Sequence, residues 1–188
     1  MNMWAQIVTF FKNMKNGYKI IGGLLIALVI ILSLTYCQKT DVKYSAQQLL
    51  QLSELIRSKF NTKPDFWKLN TQWLIDNKIL PDEMLDDNNI INDLGKEIIV
   101  GSGMDGQVLM PGDKSFDIVY KNLNFDECVN LSSYPFSDKQ ILGLLGLKII
   151  NGKEEFLIEW NGEKSLPLAK EDAEKMCTNK NILIWTFE

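Results

Sequence analysis

The hydrophobic positions of this chain follow three successive patterns, and each pattern predicts a different kind of element. From Ile20 to Tyr36 there is no polar interruption by charge: Ile, Leu, Val, Ala and two glycines fill the run, with only Ser33 and Thr35 as weakly polar members. About 17 such residues is the lower limit for a helix that crosses a bilayer. Their Leu, Ile and Val content favours insertion by roughly 3–7 kcal/mol. From Tyr44 to Phe60 the spacing becomes helical. Leu49, Leu52, Ile56 and Phe60 share one face with Leu55 beside it, and Gln, Glu and Arg occupy the other. Gln38–Lys39–Thr40–Asp41 joins the two stretches without Gly or Pro, and the first breaker is Pro64. This predicts one helix of about 40 residues, or two helices with a kink near residue 40.

Pro64–Asn77 predicts a shorter helix with Phe66, Leu69, Trp73 and Ile75 on its apolar side and Thr62 or Asp65 as cap. Pro81–Gly95 reads as a loop. The third pattern then begins. Glu97–Val100, Gln107–Met110, Phe116–Tyr120, Leu147–Ile150, Phe156–Trp160 and Ile182–Phe187 are short β-branched or aromatic runs that predict strands. Gly101–Gly106, Asn151–Gly152 and Asn161–Gly162 supply turns. Asp126–Leu131, Asp138–Leu145 and Lys170–Cys177 predict short helices. The fold class is α+β: a long N-terminal helix, transmembrane and then amphipathic, packed on an antiparallel sheet with small helices.

Charge and composition narrow the function. The net charge of −4 and a pI near 5.0 argue against nucleic acid as a partner. Lys12, Lys15 and Lys19 precede the apolar run and Lys39 and Lys43 follow it, a weak bias toward a cytoplasmic N-terminus. The run ends in Leu34–Thr35–Tyr36–Cys37, a poor site for signal-peptide cleavage, so the segment reads as a retained anchor. Met3, Trp4, Ile7, Val8, Phe11 and Met14 recur at helical spacing, so the first 16 residues either lie on the cytoplasmic leaflet or form a leader that is removed. Cys128 and Cys177 lie beyond the anchor, where a bonded pair suits an oxidising compartment and two unrelated buried thiols are the alternative. Cys37 lacks the small-residue context of a lipid-modified cysteine and reads as a packed helix residue.

Catalytic chemistry finds little here. The chain has no histidine, the commonest general base and metal ligand. Its three cysteines lack metal-ligand spacing. Gly101–Ser102–Gly103–Met104–Asp105–Gly106 has no lysine or helix to complete a phosphate loop. Asp82, Glu83, Asp86 and Asp87 are not spaced as a calcium loop. The expectation is a non-enzyme with no cofactor and no bound metal.

Several motifs in the C-terminal half carry a resemblance. Trp73–Leu74–Ile75–Asp76–Asn77–Lys78–Ile79–Leu80–Pro81–Asp82–Glu83–Met84, then Phe116–Asp117–Ile118–Val119–Tyr120 leading to Cys128–Val129–Asn130–Leu131, then Lys170–Cys177 and Asn181–Phe187, stand in an order similar to that of type IVb pilins of conjugative thin pili. The resemblance spans residues 17–188. It implies a leader (1–17), a membrane and filament-core helix (18–37), its amphipathic continuation (38–63) and a head (64–188). It implies cleavage between Gly17 and Tyr18 by a prepilin peptidase, and a Cys128–Cys177 disulfide framing the assembly face. The partners it implies are other pilin subunits, an inner-membrane assembly platform and the lipid bilayer, before export as a filament. Gly22, Gly23 and Ala27 put small residues on neighbouring positions, where they either let such helices pack closely or, for Gly22–Gly23, merely soften the helix. Most type IV pilins carry a glutamate where this chain has Gly22, which together with Lys19 fits a minor or initiating subunit at least as well as a major pilin. The alternatives are a secretion pseudopilin, a tip adhesin using Tyr134–Pro135–Phe136, or a permanently anchored periplasmic binding module.

Overall fold

The computed structural model describes residues 41–136, 143–159 and 166–188. The predicted membrane run, Gly17, Tyr18, Gly22, Gly23, Ala27 and Cys37 lie outside them, as do residues 137–142 and the Asn161–Gly162 turn. Among the described residues no helix is long and apolar enough to cross a membrane.

Residues 41–60 form helix α1. Val42, Ala46, Leu49, Leu52, Ile56 and Phe60 are all buried, at spacings of three and four that keep them on one stripe. Ser53 lies on the same stripe and satisfies its hydroxyl by donating to the Leu50 carbonyl at 2.8 Å. The helix stops before Pro64, and the Lys63 N–H closes the turn on Phe60 O at 2.8 Å.

The predicted helix from Pro64 to Asn77 is shorter in the structure. Only α2 (Thr71–Asp76) is helical, and its cap is Asn70, whose side chain accepts from Trp73 N at 2.8 Å. Residues 65–69 pair instead with residues 109–113. Phe66 N donates to Asp113 O at 2.9 Å, Lys68 N to Leu109 O at 3.0 Å, and Leu109 N to Leu69 O at 3.1 Å. Asp65 is part of this bridge, accepting from Trp67 N and from Gly112 N. Phe66 and Leu69 are buried through these long-range pairings rather than through a helical stripe. For the same reason Gln107–Met110 is not a strand: only Gln107 makes a bridge, to Ser102.

The predicted loop from Pro81 to Gly95 contains a 3₁₀ turn (Asp82–Met84) and two short strands, β1 (Leu85–Asp86) and β2 (Asn89–Ile91). Five more strands follow: β3 (Glu97–Gly101), β4 (Phe116–Leu123), β5 (Leu144–Ile150), β6 (Glu155–Glu159) and β7 (Asn181–Phe187). Leu144 and Leu145 belong to β5 rather than to the predicted Asp138–Leu145 helix, whose residues 138–142 lie outside the described residues. The sheet is antiparallel throughout, in the order β1-β2-β3-β4-β7-β5-β6.

Side chains alternate across it as the pleat requires. Phe116, Ile118 and Tyr120 of β4 and Leu183, Trp185 and Phe187 of β7 join the α1 stripe in one core. The Tyr120 ring meets Trp185 edge-on at 4.9 Å, and its hydroxyl donates to the Ser45 carbonyl of α1 at 3.0 Å. Burial pushes the Tyr120 phenol up, helped by the nearby Asp93 charge. On the opposite face, Thr186 donates to Asp117 at 2.7 Å, and Lys148 pairs with Glu155 at 3.6 Å. Two further helices, α3 (Phe125–Ser132) and α4 (Lys170–Met176), complete the described fold.

Candidate assembly face

The best-defined chemistry lies where α3, α4 and the start of β7 meet. Helix α3 begins with a reciprocal cap. Asn124 accepts from Glu127 N at 2.9 Å, and Glu127 accepts from Asn124 N at 2.8 Å. That start places Cys128, Val129 and Leu131 on the buried side. Helix α4 carries Glu171 and Asp172 in its first turn, where they complement the helix dipole, and ends at Cys177. Cys128 and Cys177 are bonded, with their Cα atoms 6.0 Å apart and their positions 49 apart in sequence.

Asn181 is the polar centre of this region, and it is 1% exposed. Its amide nitrogen donates to Leu123 O (3.1 Å), Asn124 O (3.3 Å) and Thr178 O (2.6 Å), and its oxygen accepts from Thr178 N at 2.8 Å. One side chain thereby ties the end of β4, the cap of α3 and the turn after the disulfide to the first residue of β7. Asn151, at the β5–β6 turn, adds a bond from its amide to Met176 O at 3.0 Å. Leu168 N reaches Ser132 O, joining the approach to α4 to the end of α3. None of these clamps was anticipated from the sequence, in which Asn before a strand signals only a turn.

The other sequence candidates lie apart from this centre. The Gly101–Gly106 segment is a tight turn: Gly101 has φ +149, and a Cβ there would stand 2.5 Å from the Gly106 carbonyl carbon. The Gly103 N–H is already taken by Asp117 at 2.7 Å, and Asp105 pairs with Lys121 at 3.5 Å. Asp82, Glu83, Asp86 and Asp87 are exposed on the 3₁₀ turn and the β1–β2 hairpin. Among the described residues no three His, Cys, Asp or Glu side chains gather as metal ligands. Phe136 is buried, and its ring lies tilted against half-buried Tyr134 at 5.2 Å, so this pair packs inward.

A family model for bundlin matches residues 37–182, well over half of the chain. The chain belongs to the bundlin family. The fold agrees. TcpA, a type IV pilin from Vibrio cholerae El Tor biotype, is similar at a TM-score of 0.51 and 13% identity, covering 79% of this chain and 99% of that one. A type IV b pilin from Salmonella typhi is 18% identical over 78% of this chain and 96% of that one, at a TM-score of 0.44. A search of curated proteins found no match. As a bundlin-family member this chain is a type IVb pilin, a structural subunit of a pilus filament that assembles with other pilin subunits, and the family is not a class of enzyme. The Cys128–Cys177 bond implied by the resemblance is present.

Proposed function

We propose that this pilin is made as a membrane-held precursor. A prepilin peptidase removes residues 1–17, leaving Tyr18 as the mature N-terminus. Residues 18–37 cross the inner membrane with the N-terminus cytoplasmic and later pack among sister helices in the filament core. Residues 38–63 continue that helix, and residues 64–188 form the periplasmic head. An inner-membrane platform then lifts the subunit into the filament, with Gly22, Gly23 and Ala27 allowing close helix approach.

The observation that carries this reading is α1. It is already helical at residue 41, one face is buried throughout, and no Gly or Pro separates Tyr36 from Pro64. An uncharged apolar run followed, without Gly or Pro, by an amphipathic helix suits a subunit whose first half exchanges lipid for protein. Gly22 in place of a glutamate removes a buried charge that is costly without its partner. That favours a minor or initiating role over the main shaft.

Mass spectrometry of the membrane-extracted protein tests the processing step, with a terminus at Tyr18 as the expected result. An intact Met1 in cells that assemble pili would overturn it and favour a permanently anchored binding module. Quantitative labelling along filaments tests the minor role. Rare or terminal labelling is expected, and dense labelling along the shaft refutes it.

A further inference from the structure

Among the described residues, three buried side-chain atoms have no protein partner: Ser45 Oγ, Asn92 Nδ2 and Trp185 Nε1. Trp185 lies on β7, across β4 from the other two. Ser45 and Asn92 lie on one seam, between α1 and the turn that joins β2 to β3. Ser45 is fully buried and Asn92 is 3% exposed. Buried polar atoms in folded proteins nearly always bond to protein or to ordered water, so two orphans on one seam call for a shared explanation.

Bonds on either side hold this seam in register. Gln48 Oε1 accepts from Asp93 N at 2.8 Å, which fixes α1 to the residue after Asn92. Ser45 stands three positions before Gln48, on the same side of the helix. The Tyr120 hydroxyl donates to the Ser45 carbonyl at 3.0 Å. Tyr120 pairs with Ile98, and Ile98 with Ile90, so the three share one face of the sheet. Asn92 is two residues beyond Ile90 and continues that face. Its oxygen is locked, accepting from Leu94 N at 3.0 Å and Lys96 N at 2.9 Å to close the turn. Its amide nitrogen is left on the seam with nothing to bond.

The unmet valences define what fits between them. Asn92 Nδ2 can only donate, and Ser45 Oγ can donate or accept. Tyr120 Oη has given its proton to the Ser45 carbonyl, so it can only accept. A cation would meet the Asn92 N–H groups. An anion would be repelled by Asp93, whose charge reaches the Tyr120 phenol, and by Asp41, whose charge reaches Asp93. The occupant must accept from Asn92 and donate to Ser45 and Tyr120. Water has that pattern, and buried waters make about three such bonds.

We propose that one internal water bridges Ser45 Oγ, Asn92 Nδ2 and Tyr120 Oη and joins α1 to the β2–β3 turn. It stands independently of the filament reading above. The test is nuclear magnetic resonance of the full-length, isotope-labelled protein in detergent micelles. A cross-peak is expected between the water line and the Asn92 side-chain amide. Its sign inverts in the rotating-frame experiment, as for a bound water and not for proton exchange. Ser45→Ala keeps the cross-peak, because Asn92 and Tyr120 still hold the water. Ser45→Val fills the site and abolishes it. A parent protein without the dipolar cross-peak overturns the proposal. So does its loss in Ser45→Ala, which makes the serine hydroxyl the source of the signal, and so does its survival in Ser45→Val, which puts the water elsewhere. Should Ser45→Val not fold, the parent and Ser45→Ala spectra decide alone.

Discussion

Removing the disulfide offers the sharpest quantitative check on the head. The bond joins positions 49 apart in sequence and closes a loop that contains β5, β6 and α4. In the chain-entropy account, freeing a loop of that length raises the entropy of the unfolded chain enough to cost about 4 kcal/mol at 25 °C. Replacing both cysteines by alanine keeps the comparison clean. A single Cys128→Ser change leaves a lone thiol opposite a buried hydroxyl, since Cys128 is fully buried. The Asn181 and Asn151 clamps remain in the double variant, so the native arrangement persists and the loss appears as stability, not as a new fold. For a head of this size 4 kcal/mol corresponds to a fall in melting temperature of roughly 8–16 °C. Differential scanning calorimetry of the detergent-solubilised protein, with and without reductant, reads it directly. Reductant lowers the parent chain to the level of the double variant and leaves the variant unmoved. Equal melting of parent and variant under oxidising conditions refutes the reasoning.

Three further predictions follow from single residues. Asn181→Ala removes the partners of three carbonyls and one N–H in a region closed to water, so it lowers unfolding free energy by about 2–4 kcal/mol; urea titration measures it, and a change within error removes the clamp from the account. Leu52→Ala on the buried stripe of α1 costs about 2–5 kcal/mol, whereas Glu54→Ala on its exposed face leaves the urea midpoint unchanged; equal effects contradict the assignment of faces. The Asp93 carboxyl is held above its ordinary value by partial desolvation, with the Asp41 charge adding to it. Folding therefore favours its protonated form, and the stability this contributes at low pH is lost as pH rises from the unfolded value through the raised folded one. Asp93→Asn removes that loss, so the variant gains stability relative to the parent as pH rises through the carboxylate range and its acid limb is steeper; a relative loss of stability over that range contradicts the sign.

The parts of the fold that were legible in the sequence are those whose burial follows a local period. The α1 stripe and the inward residues of β3, β4 and β7 recur at intervals of three to four or of two, so composition and spacing alone located them. Where burial is arranged by distant backbone, the period misleads. Phe66, Leu69 and Trp73 are spaced as on a helix, yet the first two are buried by pairing with residues 109–113, and Lys68 between them takes φ +73. Leu109 looks like the centre of a strand for the same reason. Strands β1 and β2 are two and three residues long and set among Asp and Asn, too short for any alternation to register. At the candidate site the two cysteines were visible as residue types. The asparagines that fix the geometry around them were not, because an Asn signals a turn wherever it occurs and only the folded chain shows which carbonyls it reaches.

The position of β7 has a consequence for how the protein is made. Six strands emerge before it, yet it lies between β4 and β5 and supplies the edge on which each of them pairs. Until Asn181–Phe187 leaves the ribosome, β3–β4 and β5–β6 remain two separate hairpins with unpaired edges. Cys177 precedes that strand by only a few residues, so oxidation and sheet closure fall in the same late interval of biogenesis.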